Sequence, residues 1–165
     1  MSNFKVKLDR ARQAVNEIQD CNSKDFQEAE QLIVELKQAI RNDLMPQTEQ
    51  EDKRLKDIAS KLNTHIKTGF ENFHTPQDIS HYLELAFQRG KKDKTYGRAL
   101  ILIEENEMIE QVKVHFDDRA QNAKLINNIL EKLIELSVEI MPTEYTEILK
   151  IEKAYFEKTL PIKKN

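Results

Sequence analysis

The chain has 165 residues, 39% of them hydrophobic and 33% charged, with 3 Gly, 4 Pro, 1 Cys, no Trp and a formal net charge of −3. That length suits a single domain spanning 1–165, able to bury about 70% of its unfolded surface without a disulfide or metal staple, and so little glycine argues against sandwiches, barrels and Gly-rich nucleotide-binding units. Lys+Arg at 26 nearly balances Asp+Glu at 29, which disfavours a globally basic nucleic-acid binder.

Phe4, Leu8, Ala11, Val15 and Ile18 recur at spacings of four and three and predict a first helix over residues 3–20. Asn22 or Ser23 can cap the next, which spans 24–43 and carries Phe26, Ala29, Ile33, Leu36 and Ile40 before Pro46 punctuates. A third helix over 48–73, with Leu55, Ile58, Leu62, Ile66, Phe70 and Phe73, would be about 39 Å long. That exceeds twice the ~15 Å radius of gyration expected for a chain this size. The expectation is therefore an elongated, antiparallel, mainly α bundle of five to six helices.

Thr75 as N-cap, Pro76 at the first helical position and Asp78 just after start a fourth helix over 76–89, with Ile79, Tyr82, Leu83 and Ala86 inward and Gly90 as C-cap. Residues 98–116 support two readings. Val112, Val114 and Phe116 alternate with Lys113 and His115 as in a β-hairpin, yet Ile109, Val112, Phe116, Ala120, Ala123, Ile126, Leu130, Leu133 and Ser137 also form one helical stripe running on to Ile140. A helix over 118–140, with Asp117 or Asp118 as its cap, holds under both. Met141-Pro142-Thr143 precedes a last helix over 144–158 bearing Tyr145, Ile148, Ile151 and Tyr155.

The densest local charge is Arg89-Gly-Lys-Lys-Asp-Lys-Thr-Tyr-Gly-Arg98, where Arg89, Lys91, Lys92, Lys94 and Arg98 face the single acid Asp93. Read as a loop flanked by two glycines, it could bring backbone N–H groups to a phosphate or an acidic partner, with Tyr96 offering a stacking face to a base. The structural alternative is that these cations complement a helix C-terminus.

Glu71-x-x-His74 and Asp78-x-x-His81 have the spacing of carboxylate–histidine pairs in di-metal bundles, and His115 stands beside Asp117 and Asp118. His74 lies at a helix end, however, and the aspartates serve better as caps, so no metal or other cofactor is expected. His65 reads as a half-buried histidine. Cys21, between Asp20 and Asn22, has negative surroundings that raise a thiol pKa, and no residue set earns a catalytic role.

A lone cysteine cannot form an internal disulfide, MSNFKVKLDRAR lacks a signal-peptide core, and the longest aliphatic run, Ala99 to Ile103, is far short of the ~20 residues that span a bilayer. The expectation is a cytoplasmic protein without membrane insertion. Apolar residues off the main stripes (Leu32, Leu100, Ile101, Met108, Leu125, Ile129, Leu136, Val138) serve either a bundle core or a partner groove. The leading functional expectation is a protein-interaction module, such as an adaptor, chaperone-like factor, inhibitor or immunity-type protein, with homodimerisation compatible. The alternatives are a nucleic-acid-associated regulator using 89–98 and a metal-dependent bundle enzyme.

Overall fold

The computed structural model describes residues 2–19, 23–43, 49–72, 76–115 and 118–159. Among these it is mainly α, without a strand: α1 (Ser2–Glu17), α2 (Lys24–Asp43), α3 (Glu49–Asn72), α4 (Pro76–Lys92), α5 (Lys94–Ala99), a π-helical stretch (Leu100–Glu104), α6 (Glu105–His115), α7 (Arg119–Ile140) and α8 (Thr143–Thr159). No helix among the described residues is long and apolar enough to cross a membrane.

The chain forms two compact units, one from residues 1–46 with 142–165 and the other from 47–141. In the first, α1, α2 and α8 pack on one another. The Ser23 hydroxyl accepts the Phe26 N–H at 3.2 Å and so caps α2. Leu8, Ala11, Val15 and Ile18 of the α1 segment meet Ala29, Ile33, Leu36 and Ile40, and α8 adds Tyr145, Ile148, Ile151 and Tyr155, all buried. These are the predicted stripes; Phe4 and Phe26 are half-buried at their margins.

Polar groups also cross the α2–α8 seam. Lys37 Nζ donates to Glu152 Oε2 at 2.5 Å, with the two side chains only 10% and 9% exposed. Two turns back along α2, the Tyr155 hydroxyl donates to Glu30 at 3.0 Å. Burial, and next the Glu30 carboxylate, push the Tyr155 phenol well above its ordinary range. Exposed pairs, Arg10–Glu28 between α1 and α2 and Arg12–Glu147 between α1 and α8, at 2.6 and 2.7 Å, add little stability but agree with the same packing.

The second unit is built around the run from Ala99 to Leu102, whose four consecutive side chains are at most 5% exposed. A strand or an amphipathic helix buries one face; here the segment is surrounded, with α3 and α6 packed on the π stretch and α3, α4 and α7 packed on α5. Residues 98–115 are helical throughout, so the hairpin reading is corrected over that stretch. The strand pattern would place Val112 and Val114 on one face, whereas Val112 is fully buried and Val114 is 70% exposed, as 100° per residue requires.

The unbroken helix to Ile140 is corrected as well. Asp118 adopts φ −75°, ψ 109° and accepts the N–H groups of Ala120 and Gln121 at 3.0 and 3.2 Å, which starts α7 afresh. Its buried face holds Ile126, Ile129, Leu130, Leu133 and Leu136. Of the off-stripe residues, Leu32, Leu100, Ile101, Met108, Leu125, Ile129 and Leu136 belong to the core, and Val138 remains 67% exposed. The Thr75 cap, Phe73 and Phe116 lie outside the described residues, as do the side chains of Ile66 and Phe70.

Candidate binding site at the α4–α5 corner

The decapeptide 89–98 is not a loop. Arg89 to Lys92 form the last turn of α4, Asp93 alone is non-helical (φ −127°, ψ 107°), and Lys94 to Arg98 belong to α5. Gly90 accordingly does not cap α4: the helix passes through it, and no described glycine has positive φ. Its use is proximity. A Cβ on Gly90 would lie 3.2 Å from the Gly97 Cα and 3.0 Å from Leu136 Cδ2, and one on Gly97 would lie 2.8 Å from the Gly90 carbonyl oxygen and 2.5 Å from Ile140 Cδ1. The two glycines let α4 and α5 touch backbone to backbone; they do not open a phosphate cradle.

Asp93 builds the corner. Its Oδ1 accepts the Thr95 and Tyr96 N–H groups at 3.0 and 3.3 Å and caps α5, while its Oδ2 accepts from Arg54 of α3 at 2.7 Å. Partial burial pushes this carboxyl up, but the Tyr96 N–H and the Arg54 guanidinium together outweigh that and hold it below the usual carboxylate range. The only acid of the decapeptide is thus consumed internally. Arg54, thirty-five residues before Arg89 in the chain, joins the corner through Asp93, and no sequence motif marks it.

The predicted site residues divide. The Arg89 guanidinium lies 4.4 Å from the Tyr96 ring centroid and is stacked on it. Tyr96 is itself buried at 9% exposure, so it is a platform for Arg89 and has no open face for a base. Arg98 is half-buried and its Nε donates to the Ile140 carbonyl at 3.3 Å, satisfying a backbone acceptor at the end of α7. The Lys91 ammonium sits 4.5 Å from the Phe87 ring centroid. Arg89, Lys91, Lys92 and Lys94 are all exposed. Nearby Glu84 accepts from Lys132 at 2.5 Å, and that contact foremost lowers its pKa, with Lys91 contributing.

The remaining candidates do not assemble. Asp78 and His81 are both exposed on α4. His65 is exposed rather than half-buried, its ring 5.2 Å from that of Tyr82. Cys21, His74, Asp117 and the side chains of Glu71 and His115 lie outside the described residues, and among the described ones no three His, Cys, Asp or Glu side chains gather as metal ligands. A shallow groove of about 440 Å³ runs along α2 past Gln27, Glu30, Gln31, Val34 and Glu35; Glu30 is engaged by Tyr155, and Glu35 by Gln31 and Lys7.

What the α4–α5 corner offers chemically is a cluster of donors, one guanidinium held over the Tyr96 ring and three ammonium groups at the end of α4 and the start of α5, with the local acid neutralised. Such a set can bind carboxylates or phosphates. No protein-family model, curated protein or solved structure matches this chain.

Proposed function

We propose that the protein is a binding module whose contact surface is the basic α4–α5 corner, and that its partner is an acidic surface of another protein. The observation that carries this reading is the internal use of Asp93 by the α5 cap and Arg54, while Arg89, Lys91, Lys92 and Lys94 stay exposed. Cations that only complemented the α4 dipole would not need the acid between them withdrawn. Their clustering focuses positive potential on a chain of net charge −3.

A protein partner is favoured over nucleic acid by two details. Tyr96 lies beneath Arg89, which removes the stacking platform single strands use, and Arg98 is tied to Ile140. The cations left fall below the roughly 6–10 phosphate contacts typical of DNA binders. The test is affinity capture from native lysate with the parent chain and with Lys91→Glu/Lys92→Glu. An acidic protein retained at low salt by the parent, released by salt and missed by the variant is the expected result. Equal retention by both chains refutes the reading, and a salt-sensitive DNA or RNA mobility shift abolished by the same variant would replace it with the nucleic-acid one.

A further inference from the structure

On the outward face of α4, Leu85 is 61% exposed, although the adjacent Ala86 and Phe87 are 5% and 4% exposed in the core. Arg89 and Lys92 follow it at i+4 and i+7, both exposed, so an apolar side chain and two cations form one stripe, about 10 Å long at 1.5 Å per residue. The stripe ends at the basic corner.

We infer that the partner segment is an acidic amphipathic helix lying antiparallel along α4, with an apolar side chain over Leu85 and carboxylates on Arg89 and Lys92. This rests on the acidic-partner reading of the corner and specifies it. A helix laid antiparallel beside α4 has the same rise per residue read in reverse, so acids at i and i+3 and an apolar residue at i+7 on its near face meet Lys92, Arg89 and Leu85 in register. Antiparallel, its first turn lies against the last turn of α4. Acidic residues are favoured in a first helical turn and basic ones in a last turn, and α4 ends on Arg89, Lys91 and Lys92. The charge pattern that stabilises each helix alone is thus the one that pairs them.

Arg89 is the specific element. Its Cζ lies 4.4 Å from the Tyr96 ring centroid, a cation–π contact that places the guanidinium at the stripe, and a guanidinium presents paired N–H donors that a carboxylate accepts two at once. Lysine reproduces the charge but neither the plane nor the bidentate fork.

The probe is a synthetic helical peptide with glutamates at i and i+3 and leucine at i+7, the order an antiparallel helix needs to meet Lys92, Arg89 and Leu85, its affinity for the full chain read by fluorescence anisotropy over a salt series. A polyglutamate peptide without leucine is the comparison. Leu85→Ser and Arg89→Lys are each expected to weaken the amphipathic peptide about tenfold, Leu85→Ser chiefly by removing the affinity that survives high salt. Leu85 is exposed, so circular dichroism of that variant should match the parent. If polyglutamate binds as tightly as the amphipathic peptide, or if Leu85→Ser changes nothing while Lys91→Glu/Lys92→Glu abolishes binding, the helix inference falls and the acidic-partner reading stands. If neither peptide binds at low salt and lysate capture is unaffected by Lys91→Glu/Lys92→Glu, both fall.

Discussion

Replacing Lys37 by methionine leaves the Glu152 carboxylate in the α2–α8 seam without the ammonium that approaches it at 2.5 Å. Both side chains are about nine-tenths buried, so water is poorly placed to compensate. Removing one partner of a buried pair typically costs about 3–5 kcal/mol, whereas replacing both by well-packed apolar residues is neutral or stabilising by about 1–4 kcal/mol. Lys37→Met alone should therefore lower stability by about 3 kcal/mol or more, and Lys37→Met with Glu152→Leu should recover all of it. At roughly 2–4 °C per kcal/mol for a chain of this size, the single variant should melt about 6–20 °C lower. Urea titrations followed by far-UV circular dichroism, run on the parent, both single variants and the double, give the coupling energy directly. If the two single losses simply add in the double variant, the pair is not a desolvated unit and the reasoning fails. Recovered stability with a broadened transition would locate the pair's contribution in specifying how α8 docks, not in holding it there.

Gly97→Ala should destabilise by about 1–3 kcal/mol despite alanine's better helix propensity, because its Cβ would meet the Gly90 carbonyl oxygen at 2.8 Å, backbone that cannot swing aside; thermal melts of Gly90→Ala and Gly97→Ala should show the larger loss for Gly97. Val112→Ala should cost about 2 kcal/mol and Val114→Ala under about 0.5, since one is fully buried and the other 70% exposed; equal losses in chemical denaturation would reinstate the hairpin. Asp93 has a folded-state pKa below its unfolded one, so it binds fewer protons when folded. Its contribution is present above about pH 4 and fades as pH falls through the depressed value. Asp93→Asn, which keeps a competent cap, should melt with a shallower pH dependence between about pH 2 and 4 than the parent, and an unchanged slope would show that the Tyr96 N–H and Arg54 together do not hold the Asp93 carboxyl down.

Helix period and punctuation could be read from the sequence because they are local. The α2 bounds, Pro76 at the head of α4 and the α8 stripe all follow from spacings of three and four and from residues whose backbone chemistry starts or stops a helix. The π stretch and its neighbours could not be read that way. Alternation of Val112, Val114 and Phe116 fits a strand as well as a helix over so few residues, and the choice falls to the helix that buries Val112 among its neighbours and leaves Val114 in solvent. Gly90 misled for a related reason, since a glycine near the end of a periodic run marks a cap equally well as a close helix crossing, and only the position of Gly97 distinguishes the two.

The basic cluster was legible as charge. Its partition into Arg89, Lys91, Lys92 and Lys94 outside and Tyr96 and Arg98 committed within depends on Asp93, Arg54 and the end of α7. Arg54 and the Lys37–Glu152 pair carry no sequence signal at all, because a lysine and a glutamate 115 residues apart are indistinguishable from surface charges until packing removes the water around them. Composition and period determine that this chain is helical and which faces turn inward. Which charges stay free to bind something is decided only when distant segments come together, since desolvation and pairing are properties of contacts and not of residue types.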